Sequence, residues 1–307
     1  MFRKASMAGR GRQRYSVREV LDGMRFSRAR TLEEALGLLA ELGDEARILA
    51  GGTDVMIQYL DGQISPGALV HIEGIKELAS ASVNHRTTLG TLTTHRTLAT
   101  DPALLSAQPA LAEAAGMVGG WQTQAVGTIG GNICNASPAA DTAPPLLVAD
   151  TQVTMASHRG ERSVPLTDFF LDRRKTALEP DELLTAIELD ALPAGAGEVY
   201  LKLGRRGAME VALVGIAVRL GFATDGTVDS AAIAVCSIAP TPRRVPDAEA
   251  ALIGSQLESD ALDAAGEAVV AAASPIDDAR ASASYRTRTL RGLLERAAVQ
   301  CREAATP

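Results

Sequence analysis

Apolar positions along this chain fall into helical stripes and short strand-like runs, with no long hydrophobic block. Leu32, Ala35, Leu36, Leu39 and Leu42 recur at helical spacing and predict an amphipathic helix. Thr31 stands at its N-cap position with Glu34 three residues on, the pattern of a capping box. Gly43 is its predicted stop, and a short strand from Met24 precedes it. Residues 46–50 read as a buried strand running into Gly51-Gly52, and 54–60 as a short helix leaving that turn. Residues 69–72 read as a strand, and 88–94 end another strand and open a helix around His95. Ala and Leu at helical spacing predict one packing helix over 103–118, and a further helix ends near Ala149. Residues 151–156 alternate as a half-buried strand. Thr167-Asp168 reads as the cap of a short helix, 182–189 as a strand, and 193–197, Pro-Ala-Gly-Ala-Gly, as a linker.

After Gly197 the pattern changes. Residues 199–204, 211–220 and 231–238 read as three strands, with Thr224-Asp225-Gly226 as a turn, and 246–254, 259–273 and 284–304 read as helices. Strands followed by helices predict a compact α+β domain whose antiparallel sheet is covered on one face. No internal repeat is present.

Length and composition narrow this picture. The 307 residues are 46% apolar but only 3% aromatic, so a sizeable core, divided between domains, must be filled by aliphatic side chains. The net charge of −7 argues against a general nucleic-acid binder. Residues 1–30 carry a net +7 and the remainder −14. A solvated extension over 1–23 is preferred to an RNA- or membrane-binding arm. Cys134, Cys236 and Cys301 form no CxxC and stand near no His at ligand spacing, which excludes an internal four-cysteine cluster or a Cys/His zinc site. That sparse, odd count fits a reducing cytoplasm. No stretch approaches the ~18 apolar residues of a membrane span, and the basic N-terminus leads into no apolar segment of a secretion signal.

The candidate chemistry lies in two glycine pairs. The first is Leu49-Ala50-Gly51-Gly52-Thr53-Asp54. The second lies in the stretch 122–145, which holds Thr128-Ile129-Gly130-Gly131-Asn132, the Ser137-Pro138 corner and the carboxylate of Asp141. Glycine pairs allow φ > 0 and close approach of backbone to a ligand. Exposed N–H groups on such turns, next to a helix start, suit a phosphate. Neither pair is a Rossmann G-x-G-x-x-G, and no P-loop occurs. Two such turns suggest one ligand gripped from two sides. Plainer roles exist for each residue. Thr128 and Asn132 also suit a turn, Asp141 a helix cap, and Lys202 a solvated strand position. Trp121 reads more readily as core than as a cofactor stack, and Arg205 and Arg206 as solvent-exposed as readily as ligand- or partner-facing. His71, His85, His95 and His158 show no metal or triad spacing, and Cys134 reads as a small buried filler.

LAGGTD, TIGGN, SPAAD and LKLGRRGAMEVALVG, in this order, resemble the FAD-binding (medium) subunits of the molybdenum hydroxylase family, which includes carbon monoxide dehydrogenase-type enzymes and the flavin domain of xanthine dehydrogenase. The resemblance runs from about residue 24 to the C-terminus. It implies an α+β fold with two FAD-binding subdomains of the vanillyl-alcohol-oxidase/PCMH type, here 24–80 and 81–193. A smaller α+β domain with a three-stranded antiparallel sheet would follow at 198–307. It implies a flavoprotein oxidoreductase subunit with non-covalent FAD, a large molybdopterin subunit and a small [2Fe–2S] subunit as partners, and a dimer of heterotrimers. The resemblance also assigns the site. Ala50, Gly51, Gly52, Thr53 and Asp54 would hold the pyrophosphate through backbone N–H groups, and Thr128, Ile129, Gly130, Gly131 and Asn132 would hold it from the other side. Asp141 would accept from cofactor hydroxyls, Leu184 would pack near flavin or adenine, and Lys202 would lie beside the isoalloxazine. The chain departs from the pattern at Gln122-Thr123-Gln124-Ala125, where many relatives carry Gln-Ile-Arg-Asn. A stand-alone FAD oxidoreductase, or a flavin-free scaffold or maturation protein that keeps the fold, are the competing readings.

Overall fold

A computed structural model describes residues 24–305; the extension expected over 1–23 lies outside the described residues. The chain begins with β1 (Arg25–Arg28), α1 (Leu32–Leu42), β2 (Ala46–Leu49), α2 (Val55–Leu60) and β3 (Ala68–His71). These build a three-stranded sheet in the order β1-β3-β2, with both pairings parallel. The Thr31 hydroxyl accepts from Glu34 N at 3.2 Å, as its N-cap position requires. The reciprocal bond is shifted by one residue, because the Glu34 carboxylate accepts from Arg30 N at 2.7 Å. Gly43 ends α1 at φ +51°, a conformation glycine adopts without a Cβ penalty.

Next come β4 (Ala81–Val83), β5 (Arg86–Gly90), α3 (His95–Thr100), α4 (Pro102–Ala107), α5 (Pro109–Gly116), α6 (Trp121–Val126), α7 (Ile129–Cys134) and α8 (Ala143–Val148). The single helix expected over 103–118 is two. Pro109 has no N–H to continue α4 and bars Gln108 from the helical region, so Gln108 sits at φ −142°. Its amide turns inward and donates to Asp190 O at 3.0 Å and Thr87 Oγ1 at 3.2 Å. Then follow β6 (Gln152–Ser157), β7 (Gly160–Pro165), α9 (Leu166–Phe169), β8 (Phe170–Asp172), β9 (Lys175–Thr176) and β10 (Leu183–Asp190). Helix α9 starts at Leu166 without a side-chain cap, so Thr167 and Asp168 lie inside it rather than capping it. The five-stranded sheet runs β4-β5-β10-β6-β7 with antiparallel neighbours. Its edge strand β7 has no sequence signature, since its GERSVP is largely exposed and carries little apolar alternation.

The remainder is β11 (Ala196–Leu203), β12 (Val214–Phe222), β13 (Val228–Cys236), β14 (Arg243–Arg244), α10 (Pro246–Leu252), α11 (Ser259–Ala271) and α12 (Ala283–Ala305). The sheet β11-β12-β13-β14 has four strands, not three. β14 is a two-residue edge too short to register as a pattern. β11 also begins inside the stretch that reads as a linker. Gly197 is there because α12 lies directly on the strand: a Cβ would meet Cys301 O at 1.9 Å. The sheet is covered on both faces. Val199, Ile216, Val218 and Ile233 join Leu290, Leu294 and Ala298 of α12 in one apolar cluster. Tyr200, Ala217 and Ala234, on the opposite face, belong to the cluster that includes Leu146 and Leu147 of α8. Successive strand residues therefore serve different cores.

Candidate functional site

Strand β2 delivers the first glycine pair. Gly52 takes φ +71°, and its carbonyl accepts from Met56 N at 3.2 Å to start α2. Gly51 has no room for a side chain, since a Cβ would stand 1.7 Å from Val126 O. No hydrogen bond among the described residues uses the backbone N–H groups of Gly51, Gly52, Thr53 or Asp54. Val126 and Gly127 lead into the second motif, so the two motifs meet. A Cβ on Gly127 would lie 3.4 Å from Thr53 Oγ1 and 3.2 Å from His95 Cδ2.

The second motif is built differently. Thr128 caps α7, its hydroxyl accepting from Gly131 N at 3.1 Å. Gly130 and Gly131 sit in the first turn of that helix, and neither has positive φ. Gly130 is needed for closeness, because a Cβ would approach Thr91 Cβ to 2.5 Å. The N–H groups here are spent inside the protein. Ile129 N donates to Thr93 O, Gly130 N to Thr91 O and Asn132 N to Thr128 O, each at 2.9 Å. What this motif presents is side chains and an exposed Gly131. The Asn132 carbonyl oxygen accepts from Thr142 Oγ1 at 2.7 Å, leaving its amide N–H groups unpaired among the described residues.

Asp141 does not cap α8; Thr142 holds that position without a side-chain bond. The Asp141 carboxylate instead reaches β11, accepting from Tyr200 OH at 2.7 Å on one oxygen and from Lys202 Nζ at 2.7 Å on the other. Lys202 also donates to Met117 O at 3.2 Å, and its side chain is 9% exposed, so it is not a solvated strand lysine. Burial pushes the Asp141 carboxyl up, and the Lys202 ammonium and the Tyr200 hydroxyl oppose this. Tyr200, fully buried, is raised well above the usual phenol range, first by burial. Leu184 is 2% exposed in the central core on β10, where the pairing with β6 shifts register between Leu184 and Ala186.

Trp121 is not core. It is 72% exposed, with the Arg96 guanidinium 4.3 Å from its ring centroid. Gln124 is buried and donates to Gly116 O at 2.7 Å and Val118 O at 3.1 Å, bracing the turn before α6. His95 lies under Gly127; burial lowers its pKa to about 4, and its Nδ1 has no partner among the described residues. His85 and His158 are exposed, and His71 pairs with Glu73 at 3.2 Å. Burial pushes the Cys134 thiol up to about 12, an inert state. Arg205 and Arg206 are exposed and face Glu210. Sequence reasoning missed Tyr200 as a site residue, and with it Asn135, whose amide bonds the Asp54 carboxylate at 2.9 Å. Asn135 lies within the marked stretch, but nothing in its spacing signals that contact.

The first loop fits a pyrophosphate on its own geometry. It offers N–H groups unpartnered among the described residues, beside a glycine, Gly51, whose place no side chain could take. The comparisons with known proteins concern the chain as a whole. Residues 22–191 match the model described as the FAD binding domain in molybdopterin dehydrogenase, and 199–301 that of the CO dehydrogenase flavoprotein C-terminal domain. The 6-hydroxypseudooxynicotine dehydrogenase complex subunit alpha of Paenarthrobacter nicotinovorans is 33% identical, over 91% of this chain and 94% of its own length. The xanthine dehydrogenase FAD-binding subunit of Escherichia coli O157:H7 is 32% identical, over 90% and 95%. A solved chain of carbon monoxide dehydrogenase from Hydrogenophaga pseudoflava superposes with a TM-score of 0.88 at 31% identity, covering 92% of this chain and 98% of that one. The chain belongs to the family of FAD-binding subunits of the molybdopterin-dependent dehydrogenases.

Proposed function

We propose that this chain carries non-covalent FAD as the electron-transfer subunit of a multisubunit molybdenum hydroxylase. It takes electrons from the [2Fe–2S] clusters of a small partner subunit and passes them to a terminal acceptor. A large partner subunit holds the molybdopterin and oxidises the substrate. The observation that carries the reading is the meeting of the two glycine motifs, with the N–H groups of Gly51–Asp54 unpartnered among the described residues at the junction.

Bound FAD would supply a carrier able to accept electrons one at a time and release two together. This chain's residues bind and orient it. Gly51, Gly52, Thr53 and Asp54 offer backbone N–H groups to the pyrophosphate, with Ala50 setting the start of the loop. On the other side Thr128 and Asn132 offer side-chain hydroxyl and amide, and the exposed Gly131 lets the ligand lie close, while the buried Ile129 and Gly130 seat that helix against the core. Lys202 presents its ammonium, held and partly neutralised by Asp141, towards the isoalloxazine. Leu184 backs the site from the core. Cys134, Cys236 and Cys301 sit in separate elements with thiols pushed up by burial, which supports placing the iron–sulfur ligation on another chain. We assign the protein to the cytoplasm, as an assembly of two heterotrimers; among the described residues no helix is long and apolar enough to cross a membrane.

Expressed alone, the chain is expected to be yellow, to release its FAD on heat precipitation, and to reduce no acceptor with an aldehyde or N-heterocycle until both partners are added. Turnover by the isolated chain would point to a stand-alone oxidoreductase, and a colourless chain that refuses FAD to a scaffold. Gly51→Ala, whose new methyl group falls 1.7 Å from Val126 O, should abolish FAD retention.

A further inference from the structure

The Asp54 side chain stands at the start of α2, where an aspartate commonly caps its own helix. It makes no cap bond there. Its Oδ1 instead accepts from Asn135 Nδ2 at 2.9 Å, across to the C-terminal end of α7. Asn135 Oδ1 in turn accepts from Gln58 Nε2 of α2 at 2.8 Å and from Arg174 NH1 at 3.0 Å. Arg174 is tied to the same place by its backbone: at φ +57° in the β8–β9 turn, its N–H donates to Ala136 O at 2.9 Å. Three side chains, from two stretches distant in sequence, thus converge on one amide. The amide orientation is fixed by its partners, since the reverse would set two donors against its N–H groups and a carboxylate against its oxygen.

We propose that Asn135 is a positioning residue that latches the first glycine loop to the helix of the second and so sets the width of the pyrophosphate seat; this rests on the FAD reading above. The chemistry explains the residue type. The position needs a donor for the Asp54 carboxylate and, on the same short side chain, an oxygen that accepts twice. Aspartate lacks the donor, alanine lacks both, and glutamine is a methylene too long. The latch holds Asp54, the last residue of the run with free N–H groups, and Gln58, one turn further along α2, without touching the ligand itself. It complements the direct packing of Gly51 on Val126, which fixes the other side of the same loop.

The test uses the full chain and reads FAD affinity by quenching of flavin fluorescence, beside a thermal melt without FAD. Asn135→Asp sets two carboxylates face to face. Its FAD dissociation constant should rise at least ~10-fold at pH 8 and recover as the pH is lowered towards 5, where the facing carboxyls share a proton. Asn135→Ala should weaken binding by a similar factor at every pH. The decisive variant is the swap Asp54→Asn with Asn135→Asp. It rebuilds the bridge with the donor reversed and keeps both bonds from Gln58 and Arg174, so affinity should return to within about threefold of the parent. Parent-like affinity for Asn135→Asp at pH 8 would overturn the latch, as would a swap no better than the single variant. If Asn135→Asp fails to fold, the swap alone decides. A parent chain that binds no FAD overturns the function reading and this inference with it. A parent that binds FAD beside an unimpaired Asn135→Asp overturns the latch alone.

Discussion

Strand β11 ends in two buried ion pairs on one face, and they are built to different standards. At its start, Glu198 receives Ala110 N at 3.1 Å on one oxygen and Arg219 Nε at 2.6 Å on the other. Arg219 continues to Gln108 Oε1 at 3.3 Å and Asp190 O at 3.4 Å. At that end both carboxylate oxygens and all three guanidinium nitrogens have protein partners. Four residues on, Lys202 gives one N–H to Asp141 and one to Met117 O, and its third N–H has no partner among the described residues. The pair at Asp141 lies beside the glycine motifs, and the pair at Glu198 buttresses the join between the β11–β14 sheet and α5. A buried charge is tolerated where its partners saturate it. Spare hydrogen-bonding capacity on a buried charge, by contrast, marks a place kept for something else.

The difference can be tested from its largest consequence downwards. Arg219→Ala leaves Glu198 as an uncompensated buried carboxylate and should cost about 3–5 kcal/mol in denaturant unfolding, whereas the joint change Glu198→Leu with Arg219→Met should cost far less. His95, packed under Gly127 of the second motif, gives a pH handle. Its folded pKa of about 4 lies below the usual imidazole value of about 6.5, so as pH falls through that window the unfolded chain takes up a proton the folded chain refuses. Stability should fall by up to about 3 kcal/mol across it, and His95→Gln should flatten the loss in melts recorded from pH 7 to 4. Lys202→Met should cost about 1–3 kcal/mol, because the Asp141 carboxyl, already raised by burial, can take a proton and keep one hydrogen bond. Its main effect should be on FAD affinity. If Lys202→Met proves as destabilising as Arg219→Ala with FAD binding intact, the two ends are alike and the distinction fails. Trp121→Ala, on an exposed ring, should change stability by no more than about 1 kcal/mol, the worth of its contact with Arg96.

Much of this was readable from the chain alone. The stripe from Leu32 to Leu42, the Thr31 cap and the strand into Gly51 all depend on neighbours within a few residues, and local periodicity reports such neighbours well. The break at Pro109 was also signalled, by the restriction proline places on Gln108, and the helical stripe on both sides masked it. What stayed hidden depends on residues brought together from far apart. Tyr200 reaches Asp141 across 59 positions, and Gln58 reaches Asn135 across 77. No spacing rule connects them. Trp121 misled because large aromatic rings are so often buried. Gly130 and Gly131 misled because glycine pairs suggest a turn, while here both lie in a helix and Gly130 lets it press against Thr91.

The order of the five-stranded sheet has a consequence for how the protein is made. Strand β10, its middle member, comes last of the five in sequence, between β5 on one side and β6 on the other. As the chain leaves the ribosome, the β4–β5 and β6–β7 hairpins emerge first, each with a bare edge where β10 will insert. They cannot be joined until the chain has emerged to about residue 190, and until then those edges are open to the wrong neighbour. Nascent chains halted shortly before that point should be the form most dependent on chaperones, and a few added residues should release them.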